Sequence, residues 1–271
     1  MPHVDVNGRE LYYERRGSGE PLLLIQGMTG NHMHWGEPFL SQIEPDFDAI
    51  YYDHRGIGRS APVTEPFSIA DLADDAVALL DLLEIDDAHV MGVSMGGMTA
   101  QEVALRHPER LRTLTLGCTF AGGADSTPTD PAVVMRLGEL FMSGKIGEAF
   151  AEGLRFNVSP EFMADDRNVA PFREIAEELP MELPIMLAQL QAISSHDTSA
   201  RLGDIEAPTL IVHGSVDQIL PVANAYHMAG LMPDARLEIL DGVGHLFWWE
   251  RPERSAELVR EHAAAGAAAA Q

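Results

Sequence analysis

Six short runs punctuate this chain, each bounded by glycine, proline or aspartate: residues 21–26 (PLLLIQ), 49–52 (AIYY), 88–93 (AHVMGV), 111–116 (LRTLTL), 208–213 (PTLIVH) and 235–240 (ARLEIL). Several are apolar almost throughout, as strands covered by helices on both faces must be. Helical periodicity fills the intervals. Residues 68–84 set Leu72, Val77, Leu80 and Leu83 near one stripe, with Ser68 and Asp71 spaced as a capping box. Residues 95–107 form a second helix ended by Pro108, and 252–265 a third, before an alanine-rich tail expected to fray. Strand alternating with helix predicts an α/β fold with a mostly parallel sheet. In front of it, HVDV and ELYYERR alternate on either side of Asn7-Gly8, which predicts an antiparallel N-terminal hairpin.

Residues 122–204 break this rhythm. No strand pattern occurs there, only helical pieces at 131–142, 146–156, 172–178 and 184–193, with turn signals at Pro160, Pro180 and Pro184. An all-helical block between two strands predicts a cap over one end of the sheet. The expected organisation is a core of residues 1–121 and 205–271 with a cap of 122–204.

Charge narrows the function. With 18 Lys+Arg against 42 Asp+Glu, the net charge of -24 repels phosphate backbones and anionic headgroups, and the lone lysine, Lys145, leaves no basic tract. Nucleic-acid and membrane partners are therefore not expected. No apolar run approaches the roughly 18 residues that span a bilayer, and MPHVDVNGRE has no signal-peptide pattern, so a cytoplasmic protein is expected, as a monomer or small homo-oligomer. The single Cys118 offers no internal disulfide. The acidic run of Asp71, Asp74 and Asp75 reads as a solvated helix face.

The chemistry-bearing motif is Gly92-Val93-Ser94-Met95-Gly96, placed between the strand AHVMGV and the following helix. A serine on a sharp strand-to-helix turn stands exposed at the carboxyl end of the sheet, and glycines two residues either side let neighbouring backbone approach. A serine hydroxyl needs a base, and the base an orienting carboxylate, following in that elbow's order of serine, acid, histidine. Asp217, in HGSVDQILP, follows the strand PTLIVH. His245, in DGVGHLFWWERPE, follows ARLEIL. Both lie just past strand ends on the edge that carries Ser94.

Through LLLIQGMTG, YYDHRGIGRS, VMGVSMGGMTAQ, ALRHPERLRTLTL, APTLIVHGSVDQILP and GVGHLFWWERPE, the chain resembles the α/β-hydrolase family over nearly its whole length. Within it, the chain is most similar to small esterases, lactonases and enol-lactonases. The resemblance implies Ser94 as nucleophile, Asp217 as acid and His245 as base, with an oxyanion hole formed by the Met28 and Met95 backbone amides. The family usually has His-Gly where this chain has Gln26-Gly27; a main-chain donor survives that change. An aspartate at the elbow, as in dehalogenases and epoxide hydrolases, is replaced here by Ser94, which excludes an alkyl-enzyme route. Gln26, Gly27, His32, Trp35, Met98, Met186, Leu246 and Trp248 are expected around the substrate. His32 and His34 lack the further ligands of a metal-dependent lactonase, so neither metal nor cofactor is expected. The segment 53–60 (DHRGIGRS) reads as architectural.

The expected activity is hydrolysis of small to medium, fairly apolar carboxylic esters through an acyl-serine. A lactonase, such as a 3-oxoadipate enol-lactonase, would use the same residues. An anionic substrate of that kind would need a cation, for which the cap offers Arg136, Arg155, Arg167 and Arg173. The same residues would also suit a cofactor-free perhydrolase, with peroxide replacing water, or a hydrolase-like ligand receptor that uses the pocket mainly for binding.

Overall fold

The computed structural model describes residues 3–269. Eight strands form one sheet: β1 (His3–Val6), β2 (Arg9–Gly17), β3 (Glu20–Ile25), β4 (Phe47–Tyr52), β5 (Ala88–Val93), β6 (Leu111–Gly117), β7 (Thr209–Gly214) and β8 (Arg236–Leu240), in the order β1-β2-β4-β3-β5-β6-β7-β8. The first two pairings, β1 with β2 and β2 with β4, are antiparallel, and the rest are parallel. The hairpin turns at Asn7 (φ 51) and Gly8 (φ 78), both left-handed as a two-residue primed turn requires. This is an α/β-hydrolase fold with an antiparallel N-terminal hairpin.

Helices cover both faces. In chain order they are α1 (Glu37–Ile43), α2 (Ile69–Leu82), α3 (Met95–Arg106), α4 (Pro131–Met142), α5 (Ile146–Asn157), α6 (Pro160–Met163), α7 (Asp166–Glu178), α8 (Leu183–Ser194), α9 (Ala223–Leu231), α10 (Phe247–Glu250) and α11 (Pro252–Ala269). Alternation along β3 shows why its run is unbroken. Leu22 and Leu24 enter one core with α1 and α11, and Leu23 and Ile25 enter the opposite core with α2, α3 and α9. Ser68 caps α2 reciprocally with Asp71. The alanine-rich end of α11 does not fray as expected but stays helical to Ala269. Alanine has the highest helix propensity, and Gly266 lies so close to Thr113 that a Cβ there would overlap its side chain.

Helices α4–α8 occupy the stretch between β6 and β7. The chain departs and returns at one place, where Gly122 bridges Asp197 and the Thr198 amide donates to the Ala121 carbonyl at 2.8 Å. Helix α7 begins six residues earlier than expected and contains Pro171, because Val169, Phe172 and Ile175 bury one stripe on both sides of the proline.

Asp75 is not on a solvated face. It is 1% exposed, and its carboxylate accepts from Arg55 Nε at 2.7 Å. The same guanidinium donates to the Asp71 carbonyl and lies over the Phe67 ring, which pins segment 53–60 to α2. Removing one partner of such a pair strands a desolvated charge. Asp75→Ala is expected to lower stability by about 3–5 kcal/mol in urea unfolding; a loss below about 1 kcal/mol would show that the pair behaves as a surface one.

Candidate active site

Ser94 follows β5 and is the N-cap residue of α3, with φ 55 and ψ -122, a conformation costly for a residue with a Cβ. The surrounding backbone fixes it there. Its amide donates to the Gly117 carbonyl at 2.9 Å, and its carbonyl accepts from Thr119 Oγ1 at 2.7 Å and from the Gly97 amide at 2.9 Å. The motif's glycines answer to contact. A Cβ on Gly92 would overlap the Gly96 carbonyl, and one on Gly96 would overlap the Ile25 carbonyl. Ser94 remains partly exposed while residues 88–93 and 95–104 are buried.

Asp217 and His245 come from loops after β7 and β8, two and three strands from β5. His245 Nδ1 lies 2.7 Å from Asp217 Oδ2. The other carboxylate oxygen, Oδ1, accepts from the Ile219 and Leu220 amides at 2.8 and 2.9 Å. Burial would raise this carboxyl, but the facing His245 and hydrogen bonds from His213 and His245 overcome it, holding the pKa at about 2. Cys118, at φ 38 after β6, is fully buried; burial and the nearby Asp217 carboxylate push its thiol well up, which leaves it inert.

Gly27 passes directly over the elbow: a Cβ on it would stand 2.9 Å from Ser94 Cβ. The loop is tightly held. Gln26 Oε1 accepts from the Gly27 amide at 2.9 Å, His54 Nε2 donates to the Gln26 carbonyl at 2.9 Å, and the Gly30 amide donates to the Gly27 carbonyl. Met28 follows Gly27, and Met95 is the first residue of α3, where backbone amides lack partners within the helix.

Several expected pocket residues lie elsewhere. Gln26 turns back onto its own loop. Its neighbour in the expected set, His32, is buried with Nδ1 2.9 Å from Asp53 Oδ1 and its ring against Tyr12. It lines a cavity of about 280 Å³ shared with Glu14, Arg59 and Glu178, away from Ser94. Trp35 is fully buried, stacked on Phe39 and tilted against Trp248, and Trp248 gives its Nε1–H to the His34 carbonyl. These aromatic residues brace the core beneath α10 rather than wall a pocket. Met98 is buried with Met95 below α8, Met186 is buried on α8 itself, and Leu246, next to His245, is partly exposed.

Three side chains went unnoticed in the sequence. His213, fully buried at the end of β7, has Nε2 2.7 Å from the Leu220 carbonyl and 3.1 Å from Asp217 Oδ2. Glu250 of α10 accepts from the Gly244 and Ser159 amides, joining the His245 loop to the chain before α6. Gln189 of α8 accepts from the Thr29 amide at 2.8 Å. The one legible signal was at Gln189, a polar residue on the stripe Ile185–Gln189–Ala192 that is otherwise apolar.

Met28, Phe120, Leu220 and Leu246 are apolar residues of these loops that stay partly exposed, next to the polar Thr29 and Ser215. Arg136, Arg155, Arg167 and Arg173 face solvent, paired with Glu152, Glu152, Asp165 and Asp166 in turn.

Known proteins resemble the chain over this whole frame. It is 32% identical over 262 residues to an Azorhizobium caulinodans protein named as the carbamate hydrolase RutD, covering 96% of this chain and 97% of that one. Among solved structures, Est816, described as an N-acyl homoserine lactone degrading enzyme, is 31% identical with a TM-score of 0.80, covering 96% and 99% of the two chains. The enol-lactonase from Burkholderia xenovorans LB400 shares the fold at a TM-score of 0.84 and 24% identity, covering 96% and 99%. The family description of the alpha/beta hydrolase fold matches residues 20–252. With its sheet order, elbow and sequence in agreement, the chain belongs to the α/β-hydrolase family.

Proposed function

We propose that the protein hydrolyses neutral, largely apolar carboxylic esters and lactones through an acyl enzyme on Ser94. The observation that carries this reading is the strained, partly exposed Ser94 at the sheet edge that also holds the 2.7 Å His245–Asp217 pair. His245 Nε2 takes the hydroxyl proton as Ser94 Oγ attacks the carbonyl carbon. Asp217 keeps the histidine proton on Nδ1 and offsets the imidazolium charge. The Met28 and Met95 amides receive the oxyanion. Collapse returns the proton to the leaving alkoxide, and the free alcohol departs. Water, deprotonated by His245, then releases the acid.

The apolar fringe of Met28, Phe120, Leu220 and Leu246 favours a neutral acyl group, and the outward arginines of the cap favour it over an anionic enol-lactone. Similarity to Est816 supports lactones within the range. The name of the Azorhizobium relative makes a carbamate worth including, since its carbonyl meets the same machinery.

The test pairs labelling with a substrate panel. A p-nitrophenyl alkylphosphonate should modify one residue per chain, located by peptide mass spectrometry on Ser94, with parallel loss of turnover. Among p-nitrophenyl esters, butyrate and hexanoate should exceed the carboxylate-bearing succinate monoester by at least about tenfold in kcat/KM, the effect of about 1.4 kcal/mol. Labelling elsewhere sinks the acyl-serine reading; preference for the succinate ester sinks the substrate class.

A further inference from the structure

Gln189 joins two parts of the molecule that are 160 positions apart in sequence. It is fully buried on α8, on the stripe that packs Ile185, Ala188 and Ala192 against Met28, Met95 and Met98. Its Oε1 takes the Thr29 amide at 2.8 Å, and Thr29 sits at φ 62 beside Met28. Its Nε2 is buried with no hydrogen-bond partner among the described residues. A buried, half-satisfied amide in an apolar stripe is unfavourable for stability, and an aliphatic residue there would serve packing alone better.

The core braces one side of the same loop. Gln26 Oε1 holds the Gly27 amide, and His54 holds the Gln26 carbonyl. Gln189 holds the other side, from the cap. The residue between the two anchors is Met28.

We propose that Gln189 is a positioning residue through which α8 sets the Gly27–Thr29 loop, so that the Met28 amide faces the oxyanion only while the cap is seated on the core. The proposal rests on the acyl-serine reading and extends it: the cap then contributes to transition-state stabilisation as well as to enclosure. The left-handed Thr29 is held by a cap side chain, and release of that amide lets the loop relax and turns the neighbouring Met28 amide away. A displaced donor weakens binding of the charge that develops in the transition state and leaves ground-state binding largely untouched.

The decisive variants are Gln189→Met, which keeps the volume and loses the acceptor, and Gln189→Glu, which keeps an acceptor oxygen for Thr29. With p-nitrophenyl butyrate, Gln189→Met is expected to lower kcat by about tenfold to a hundredfold with KM within about twofold. Its affinity for butylboronic acid, whose tetrahedral adduct occupies the oxyanion hole, should fall in parallel. Gln189→Glu should recover most of kcat. A merely structural role would lower the thermal midpoint and enzyme yield without splitting kcat from KM. Gln189→Leu serves as a second acceptor-free variant should Gln189→Met not fold.

Wild-type kcat in either acceptor-free variant, or a Gln189→Glu as slow as Gln189→Met, overturns the proposal. Phosphonate labelling separates this from the reading beneath it. If Ser94 is labelled and Gln189→Met is unimpaired, the coupling fails and the acyl-serine stands. If Ser94 is not labelled, both fall.

Discussion

Ser94→Ala is expected to lower kcat on p-nitrophenyl butyrate by about 10⁶ while the protein stays folded. The two halves of that expectation have separate causes. The rate falls because the elbow then presents no group able to attack the carbonyl: the nearby Cys118 is fully buried, with its thiol pushed up by burial. The fold survives because the turn is held by main-chain atoms of residue 94, its amide to Gly117 and its carbonyl to Thr119 and Gly97. Alanine at φ 55 is no more strained than serine, since both carry one Cβ. Unfolding free energy should therefore change by no more than about 0.5 kcal/mol. A residual rate is expected from oxyanion stabilisation and binding alone, about 10³ above the uncatalysed reaction. Turnover of Ser94→Ala within about a hundredfold of wild type, in protein free of wild-type carry-over, would remove the serine mechanism.

The strands and the elbow were legible because their causes are local. A strand covered on both faces is apolar almost throughout, and β5 and β7 are buried at every position with only His89, Thr209 and His213 polar. The glycines at 92 and 96 announce close backbone approach before the approaching carbonyls are known. Distant partners leave no such trace. Asp75 looked like a solvated helix charge because its partner, Arg55, lies 20 residues upstream on another element. The pattern NHMHW places aromatic groups near the oxyanion loop but does not say which way the turn at 32–35 faces. Its capping by Asn31 sends Trp35 into the core and His32 onto Asp53. Gln189 shows the same limit: its polarity on an apolar stripe was visible, but Thr29 was not.

Asp217→Asn is expected to lower kcat by about 10⁴, although only one oxygen becomes an amide nitrogen. Every group around that carboxylate is a donor. Ile219 and Leu220 amides meet Oδ1, and His245 Nδ1 meets Oδ2, with His213 Nε2 3.1 Å from the same oxygen. Asparagine has one acceptor oxygen to offer. If that oxygen keeps the two backbone amides, the new NH₂ group faces His245 Nδ1, which must then accept. The histidine proton moves to Nε2, and the base has no lone pair for the serine hydroxyl. If the amide flips, the NH₂ group meets two backbone donors and the loop after β7 is disrupted.

The pH dependence of stability offers a second measurement. The folded-state carboxyl titrates at about 2 against 3.8 for the unperturbed group. Its contribution is therefore fully present above about pH 4 and lost as the pH falls towards 2. Asparagine does not titrate, so the stability difference between the two proteins should shrink as the pH falls across that interval. Asp217→Asn turnover within about tenfold of wild type would mean that a different group orients His245, and Asp217 would then have to be read as a brace for the Ile219–Leu220 turn alone.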